Sequence, residues 1–213
     1  MIPEVDTELF EKWNKVDRAI AFAVKCHAGQ TRKGANQPYI FHPLEVMGIV
    51  STMTLDEDVL CGAVLHDTVE DTPASVTDIK KEFGSYVARL VFFESEDKHT
   101  DMPPEESWEL RKQEAINTLR DEADLGAKMI CIGDKVSNLR SFNNILMTEG
   151  EKGWEHFHQR DPLKHYWYYS SLLDAVSALS EYPAYQEFDF LIQSVFGRYL
   201  KNSGDILWED GKN

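Results

Sequence analysis

The stretch LCGAVLHDTVEDT, residues 60–72, decides both the fold and the chemistry of this chain. Its first half is apolar or small, as in a buried segment, and it closes on the dipeptide His66-Asp67. Burying an imidazole and a carboxylate is unfavourable unless they are paired or bind a metal. On a continuous helix, Glu70 and Asp71 share an edge with this dipeptide. We therefore predict that a cation relieves the repulsion among three neighbouring carboxylates.

Two local signals predict where helices begin around this stretch. Thr54 and Glu57 have the spacing of a capping box, ahead of a helix that runs toward Glu70. Pro43 suits the first position of another helix. That placement predicts His42 as the N-cap residue.

Helical periodicity covers most of the remaining chain. The segments with this pattern are residues 16–24, 77–83, 85–94, 107–122, 123–143 and 191–200. No segment alternates apolar and polar residues for long enough to predict a strand, so the fold class is all-α. Without a repeat or a long linker, residues 1–213 are expected to form a single domain. The acidic extension 183–213 either packs on that domain, forms an oligomer contact or alters access to a pocket.

Composition restricts the classes of partner. The net charge of −15 argues against broad binding to nucleic acid or to an anionic membrane, which requires clustered basic residues. No apolar run reaches the ~20 residues of a membrane span, and the N-terminus lacks a signal-peptide pattern. Three widely spaced cysteines without a CxxC pair favour reduced thiols. A cytoplasmic protein is expected.

A second polar group follows an apolar run later in the chain. Asp134 closes the run 127–133, and Asn138 and Ser141 follow it on the same helix face. This pattern makes Asp134 a candidate metal ligand. The alternative role for Asp134 is a salt bridge with Lys135 or Arg140.

Two imidazoles and two carboxylates can form one mixed nitrogen and oxygen ligand set. The candidate ligands are His42, His66, Asp67 and Asp134. Such a set suits Mn²⁺ or another first-row divalent ion, with Zn²⁺ and Fe²⁺ as alternatives. A bound cation lowers the pKa of its water and neutralises charge on a phosphoryl group. Glu70 and Asp71 lie beside the ligands and can orient or deprotonate that water.

Four strings in the sequence resemble motifs of the RelA/SpoT-type HD-domain hydrolases. They are HAGQTRKG at residues 27–34, PYIFHP at 38–43, LHDTVEDT at 65–72 and GDKVSNLR at 133–140. They occur in the family's order, and the resemblance covers roughly residues 15–182. The chain is too short for the family's synthetase and regulatory domains, so it looks like a small stand-alone alarmone hydrolase of the metazoan type.

The resemblance implies an HD-domain helical bundle that removes the 3′-pyrophosphate of guanosine tetra- or pentaphosphate, giving GDP or GTP. It also implies Mn²⁺ on the four candidate ligands and catalysis by Glu70 and Asp71. The candidate substrate-binding residues are Arg32, Lys33, Asn138, Ser141, Lys98 and Arg111. For the basic residues, the alternative is solvated surface charge.

Two other functions remain open at this point. The first is an HD phosphohydrolase for another nucleotide, such as an adenosine analogue of the alarmone or NADPH. The second is a non-catalytic protein, alarmone-binding or antitoxin-like. A small nucleotide is the expected ligand of an enzyme, whereas the non-catalytic protein would sequester an alarmone or pair with a partner through its acidic tail.

Overall fold

Helices form the regular secondary structure in the part of the chain that the structure describes. The described residues of this computed structural model are 12–32, 37–95, 99, 102–121 and 123–202. Outside the helices, these residues contain an isolated bridge that pairs Thr31 with Pro38 across a loop. The prediction of an all-α fold is confirmed.

The chain divides into two compact units, residues 1–95 and 96–213. The helices of the first unit are α1 (Lys15–Cys26), α2 (Phe41–Val50), α3 (Glu57–Leu65), α4 (Thr68–Asp71), α5 (Val76–Phe83) and α6 (Ser85–Glu94). Within this unit α3 packs against α1, α2 and α6. Every residue of α3 from Cys61 to Leu65 is buried. The apolar run ahead of the HD dipeptide is therefore the centre of this unit's core.

The beginning of α3 differs from the prediction. Its N-cap is Asp56, whose carboxylate accepts a hydrogen bond from the Asp58 N–H at 2.9 Å. The hydroxyl oxygen of Thr54 instead accepts a hydrogen bond from the Asp56 N–H, at 3.1 Å. The predicted capping box of Thr54 and Glu57 is wrong, because a carboxylate two residues closer to the first turn accepts a hydrogen bond from one of its free N–H groups.

The end of α3 differs as well. The helix stops at Leu65, and α4 begins after His66 and Asp67. The His66 ring nitrogen Nδ1 lies 2.8 Å from the carbonyl oxygen of Ala63, and the Thr68 hydroxyl bonds to the carbonyl of Leu65 at 2.6 Å. Side chains that bind these carbonyls compete with the N–H groups that continue a helix. The prediction of one continuous helix toward Glu70 is therefore wrong.

The described residues of the second unit form four α-helices and two short 3₁₀ segments. They are α7 (Pro104–Asp121), α8 (Leu125–Glu149), a 3₁₀ helix (Gly150–His156), α9 (Pro162–Ala175), a 3₁₀ turn (Ser177–Leu179) and α10 (Pro183–Asn202). Within this unit α10 packs against α8 and α9, and its Phe188, Ile192 and Phe196 side chains are buried. Of the three roles considered for the C-terminal extension, packing on the domain is thus observed for its described part.

Aromatic rings fill much of this second core. The Phe188 ring lies edge-on to Tyr169 with 6.3 Å between centroids, and Phe196 stacks on Trp154 at 6.1 Å. His165 is also buried here, and desolvation lowers its pKa. None of the described helices is both long and apolar enough to cross a membrane.

Two phenylalanines of α10 provide a matched test of its packing. Phe188 is fully buried, whereas Phe190 is 69% exposed. We expect Phe188→Ala to lower the free energy of unfolding by about 3–5 kcal/mol, because it leaves a cavity among rings. Phe190→Ala should change it by less than about 0.5 kcal/mol. Urea unfolding followed by circular dichroism measures both; similar effects in the two variants would contradict the packing of α10.

Candidate metal centre

The first imidazole lies in the turn between α3 and α4. His66 is buried, and its Nδ1 lies 2.8 Å from the carbonyl oxygen of Ala63. Because a carbonyl only accepts hydrogen bonds, Nδ1 carries the ring proton. In the neutral ring Nε2 then presents its lone pair, and it faces Oδ2 of Asp67 at 3.1 Å. The end of α3 therefore decides which nitrogen of His66 is available to a metal.

The second imidazole comes from α2. His42 is the second residue of this helix and Ile40 is its N-cap, so the prediction of His42 as N-cap is wrong. The helix starts earlier because residues 38–42 already turn, with the N–H of His42 bound to the carbonyl of Tyr39 at 2.9 Å. The buried His42 ring lies edge-on to His66, with centroids 5.1 Å apart. Its Nε2 lies 3.4 Å from Oδ2 of Asp67.

These three side chains fit a divalent cation. Nitrogen and oxygen ligands lie ~2.0–2.2 Å from a zinc-sized ion, so neighbouring ligand atoms are about 3–3.5 Å apart. The 3.1 and 3.4 Å separations between imidazole nitrogens and Asp67 match that spacing. A carboxylate oxygen that faces an imidazole lone pair also needs positive charge nearby. His42, His66 and Asp67 are therefore arranged as a metal ligand set would be.

Asp67 is present as the carboxylate. Burial by itself raises the pKa of this carboxyl, but the adjacent His66 and His42 rings, in their protonated form, outweigh burial through their charge and their hydrogen bonds. They hold the pKa of Asp67 well below its usual range. The charged form is the one that binds a cation.

The two candidate catalytic carboxylates close the single turn of α4. Glu70 is half-buried and Asp71 is exposed. Oδ2 of Asp71 lies 3.0 Å from the hydroxyl of Tyr39, and the same hydroxyl lies 2.6 Å from Oδ2 of Asp67. One phenol therefore joins a candidate ligand to a candidate catalytic group.

No role for Tyr39 was predicted from the sequence, although this residue lies within the PYIFHP motif. Burial and the neighbouring Asp67 and Asp71 carboxylates raise the pKa of its hydroxyl, so the phenol keeps its proton. A role for Tyr39 could have been predicted from the general rule that a partly buried tyrosine hydroxyl needs a hydrogen-bond partner. Nothing in the residue spacing identified the carboxylates that supply it.

Asp134 lies in the second unit, on α8, where it is 6% exposed. Asn138, one turn later, donates from Nδ2 to Oδ1 of Asp134 at 2.6 Å, and Lys135 forms an ion pair with its Oδ2. Arg140 pairs with Glu187 at 2.7 Å. Of the two salt-bridge partners considered for Asp134, Lys135 is thus the observed one. The role of Asp134 as a metal ligand stays a prediction.

The remaining substrate candidates are spread over both units. Arg32 is half-buried in the loop before α2, where its N–H binds the carbonyl of Gln37 at 2.9 Å. Arg111 is half-buried on α7, and Ser141 is half-buried on α8 one turn beyond Asn138. Two further candidates, Lys33 and Lys98, lie outside the described residues. The substrate roles of all these residues stay predictions.

Comparison with known proteins places this arrangement in a family. A family model described as "HD domain" matches residues 19–158. The chain therefore belongs to the HD domain family. Its resemblance to the RelA/SpoT proteins is also confirmed, because this HD protein is 31% identical over 67% of its length to a GTP pyrophosphokinase of Myxococcus xanthus. It is 44% identical over 36% of its length to the bifunctional (p)ppGpp synthase/hydrolase SpoT of Escherichia coli K12.

These matches differ in how much of each relative they cover. The HD protein spans 18% of the Myxococcus enzyme and 11% of the Escherichia enzyme. A solved metazoan orthologue of SpoT, described as hydrolysing ppGpp, superposes with a TM-score of 0.68 at 26% identity, over 90% of this chain and 97% of that one. A crystal structure of lmo0812 from Listeria monocytogenes EGD-e gives a TM-score of 0.64 at 31% identity, over 73% and 99%.

Metal binding by this HD protein should depend on His66. We expect His66→Ala to weaken Mn²⁺ binding at least about tenfold, because removing a ligand costs no less than disturbing the groups that orient one. The matched control is His156→Ala, since His156 is an exposed residue of the second unit that pairs with Glu149 at 2.8 Å. Calorimetric titration of metal-free protein measures both variants; equal Mn²⁺ affinity in all three proteins would refute the centre.

Proposed function

We propose that this HD protein hydrolyses the 3′-diphosphate of guanosine tetra- or pentaphosphate and releases pyrophosphate together with GDP or GTP. The cofactor in this proposal is Mn²⁺, with another divalent ion as the alternative. The observation that most directly supports this proposal is the buried pair of His42 and His66, whose Nε2 atoms both face the Asp67 carboxylate. We assign the fourth ligand position to Asp134.

The comparisons support the choice of substrate. The metazoan orthologue that superposes on 90% of this chain is described as hydrolysing ppGpp, and the Escherichia SpoT relative is named for both synthesis and hydrolysis. Other relatives are named only for synthesis. Hydrolysis is the better proposal here, because the matched residues include an imidazole and carboxylate cluster suited to a metal-activated water.

The reaction adds one water to the phosphorus that carries the 3′ oxygen of the ribose. The bond between that phosphorus and the 3′ oxygen breaks, pyrophosphate leaves and the 3′ oxygen takes up a proton. His42, His66, Asp67 and Asp134 would hold the divalent ion, and its chemistry there would be to lower the pKa of a bound water and to offset charge on the phosphoryl oxygens. The net change is hydrolysis without any oxidant or reductant.

The chain's own residues then have separate tasks. Asp71 is assigned to accept a proton from the water and Glu70 to orient it, because both lie on α4 directly after Asp67. Arg32 and Arg111 are assigned to the phosphates, Asn138 to the ribose end and Ser141 to a further substrate contact. In a chain of net charge −15, local basic residues are needed to attract an anionic substrate.

A panel of nucleotides separates the alternatives. The Mn²⁺-loaded protein is incubated with guanosine tetraphosphate, its adenosine analogue, NADPH, and a mixture of GDP and ATP. Pyrophosphate and GDP should appear from the first of these. Faster turnover of the adenosine compound or of NADPH would change the substrate, formation of alarmone from GDP and ATP would mean synthesis, and binding without any product would leave a non-catalytic receptor.

The catalytic assignment predicts a loss of turnover without a loss of metal. We expect Asp71→Asn to lower kcat by roughly 10²–10⁴-fold, as expected for removal of a general base. Its Mn²⁺ affinity should stay within a few-fold of wild type. Glu155→Gln, at an exposed position in the second unit, is the control for loss of one carboxylate. Release of pyrophosphate at saturating substrate is the measurement, and an unchanged kcat would remove Asp71 from the mechanism.

The assignment of Asp134 can be separated from its ion pair with Lys135. If Asp134 is a ligand, Asp134→Asn weakens Mn²⁺ binding at least about tenfold, whereas Lys135→Met keeps the metal affinity and lowers only the stability. Mn²⁺ titration and urea unfolding are measured on both variants. If both variants lose stability and both keep the Mn²⁺ affinity of the wild type, Asp134 is a structural partner of Lys135 and not a metal ligand.

A further inference from the structure

Tyr39 occupies an unusual position beside the candidate metal centre. Its hydroxyl contacts Oδ2 of Asp67 at 2.6 Å and Oδ2 of Asp71 at 3.0 Å. A phenol has only one proton to donate. The two carboxylates therefore share one donor, which lies between a proposed metal ligand and the proposed general base.

The ring of Tyr39 is held by histidines of the first unit. Its centroid lies 4.9 Å from that of the buried His27, with the planes tilted by 31°, and 5.9 Å from that of His42, edge-on. The N–H of Tyr39 also binds the carbonyl of Gln30 at 2.9 Å. The hydroxyl is therefore presented from a fixed ring rather than from a mobile side chain.

Gln30 fixes the same acidic residue from another direction. Its Nε2 donates to the main-chain carbonyl of Asp71 at 2.9 Å, and its Oε1 lies 2.8 Å from Nδ1 of His27. The main chain of Asp71 is thus held by Gln30 and its carboxylate by Tyr39. Such support matters because α4 is a single turn of four residues and Asp71 is exposed at its end.

We propose that Tyr39 is a positioning residue, whose hydroxyl holds the Asp71 carboxylate at a fixed place relative to Asp67. This inference rests on the hydrolytic function proposed above. Tyr39 touches no reacting atom in this role and acts through Asp71. This role also accounts for the contacts of His27 and Gln30. His27 packs on the Tyr39 ring, and Gln30 binds the main chain of Asp71.

Tyr39→Phe is the direct test, since it keeps the ring and removes the hydroxyl. We expect kcat for guanosine tetraphosphate to fall about 10- to 100-fold, because a misplacement of about 1 Å can cost about 100-fold. KM should stay within two- to threefold, because the hydroxyl makes no substrate contact in this proposal. Tyr185→Phe removes a phenol hydroxyl from α10 in the second unit and is the matched control.

A double-mutant cycle separates positioning from general destabilisation. If Tyr39 acts through Asp71, the effect of Tyr39→Phe on kcat disappears in the Asp71→Asn background. Multiplicative losses would overturn the proposal, as would a rise in KM alone. A Tyr39→Phe loss that is fully explained by weaker Mn²⁺ binding would transfer its action to Asp67 and would also overturn it.

A readout without turnover keeps the inference separate from the proposed function. Crystal structures of the wild type and of Tyr39→Phe should show the Asp71 carboxylate displaced or in another rotamer in the variant, with the His27 and His42 rings unmoved. An unchanged Asp71 carboxylate overturns the inference even if the wild type is active. Conversely, displacement of Asp71 in a protein that turns over none of the nucleotides would support the positioning role while refuting the assigned reaction.

Discussion

One carboxylate oxygen, Oδ2 of Asp67, is approached by His42 at 3.4 Å, by His66 at 3.1 Å and by the Tyr39 hydroxyl at 2.6 Å. These groups come from α2, from the turn after α3 and from the residues before α2, so one atom brings together several parts of the first unit. The dipeptide follows directly on α3, whose residues from Cys61 to Leu65 are buried in the core of this unit. A charged group so placed is tolerated only when its neighbours compensate it. His42, His66 and Tyr39 are the neighbours that contact this charge.

Much of the first unit could be predicted from the sequence because burial and helical spacing act locally. The apolar run of α3 indicated a buried helix, and a polar pair at its end indicated functional groups. Periodicity likewise predicted α1, α5 and α6 almost to their bounds. The His42, His66 and Asp67 cluster needed one further step, since spacing alone cannot bring residue 42 beside residue 66. That step was a hypothesis from the residue types, and the resemblance between motifs implied the same ligands.

Side-chain bonds to the main chain explain most of what the sequence did not predict. The cap of α3 moved to Asp56, and α3 stopped where His66 and Thr68 took its carbonyl oxygens. Such bonds depend on rotamers and angles rather than on residue spacing. The link between Tyr39 and two carboxylates has the same character, since an aromatic residue in a motif is normally assigned to packing. Asp134 illustrates a different difficulty: its bond to Asn138 and its ion pair with Lys135 suit either a ligand or a structural residue.

The contacts of Asp67 also limit what each partner can contribute. A carboxylate oxygen has two lone pairs, and the Tyr39 hydroxyl uses one of them at Oδ2. In the neutral His66 ring the nitrogen that faces this oxygen has no proton, because Nδ1 donates to Ala63. A favourable interaction between that nitrogen and Oδ2 therefore requires either an imidazolium or a shared cation. A shared cation uses the second lone pair and leaves both rings neutral. It also follows that replacing Asp67 removes a metal ligand and the acceptor of Tyr39 together, so the role of the phenol can be isolated only at Tyr39 itself.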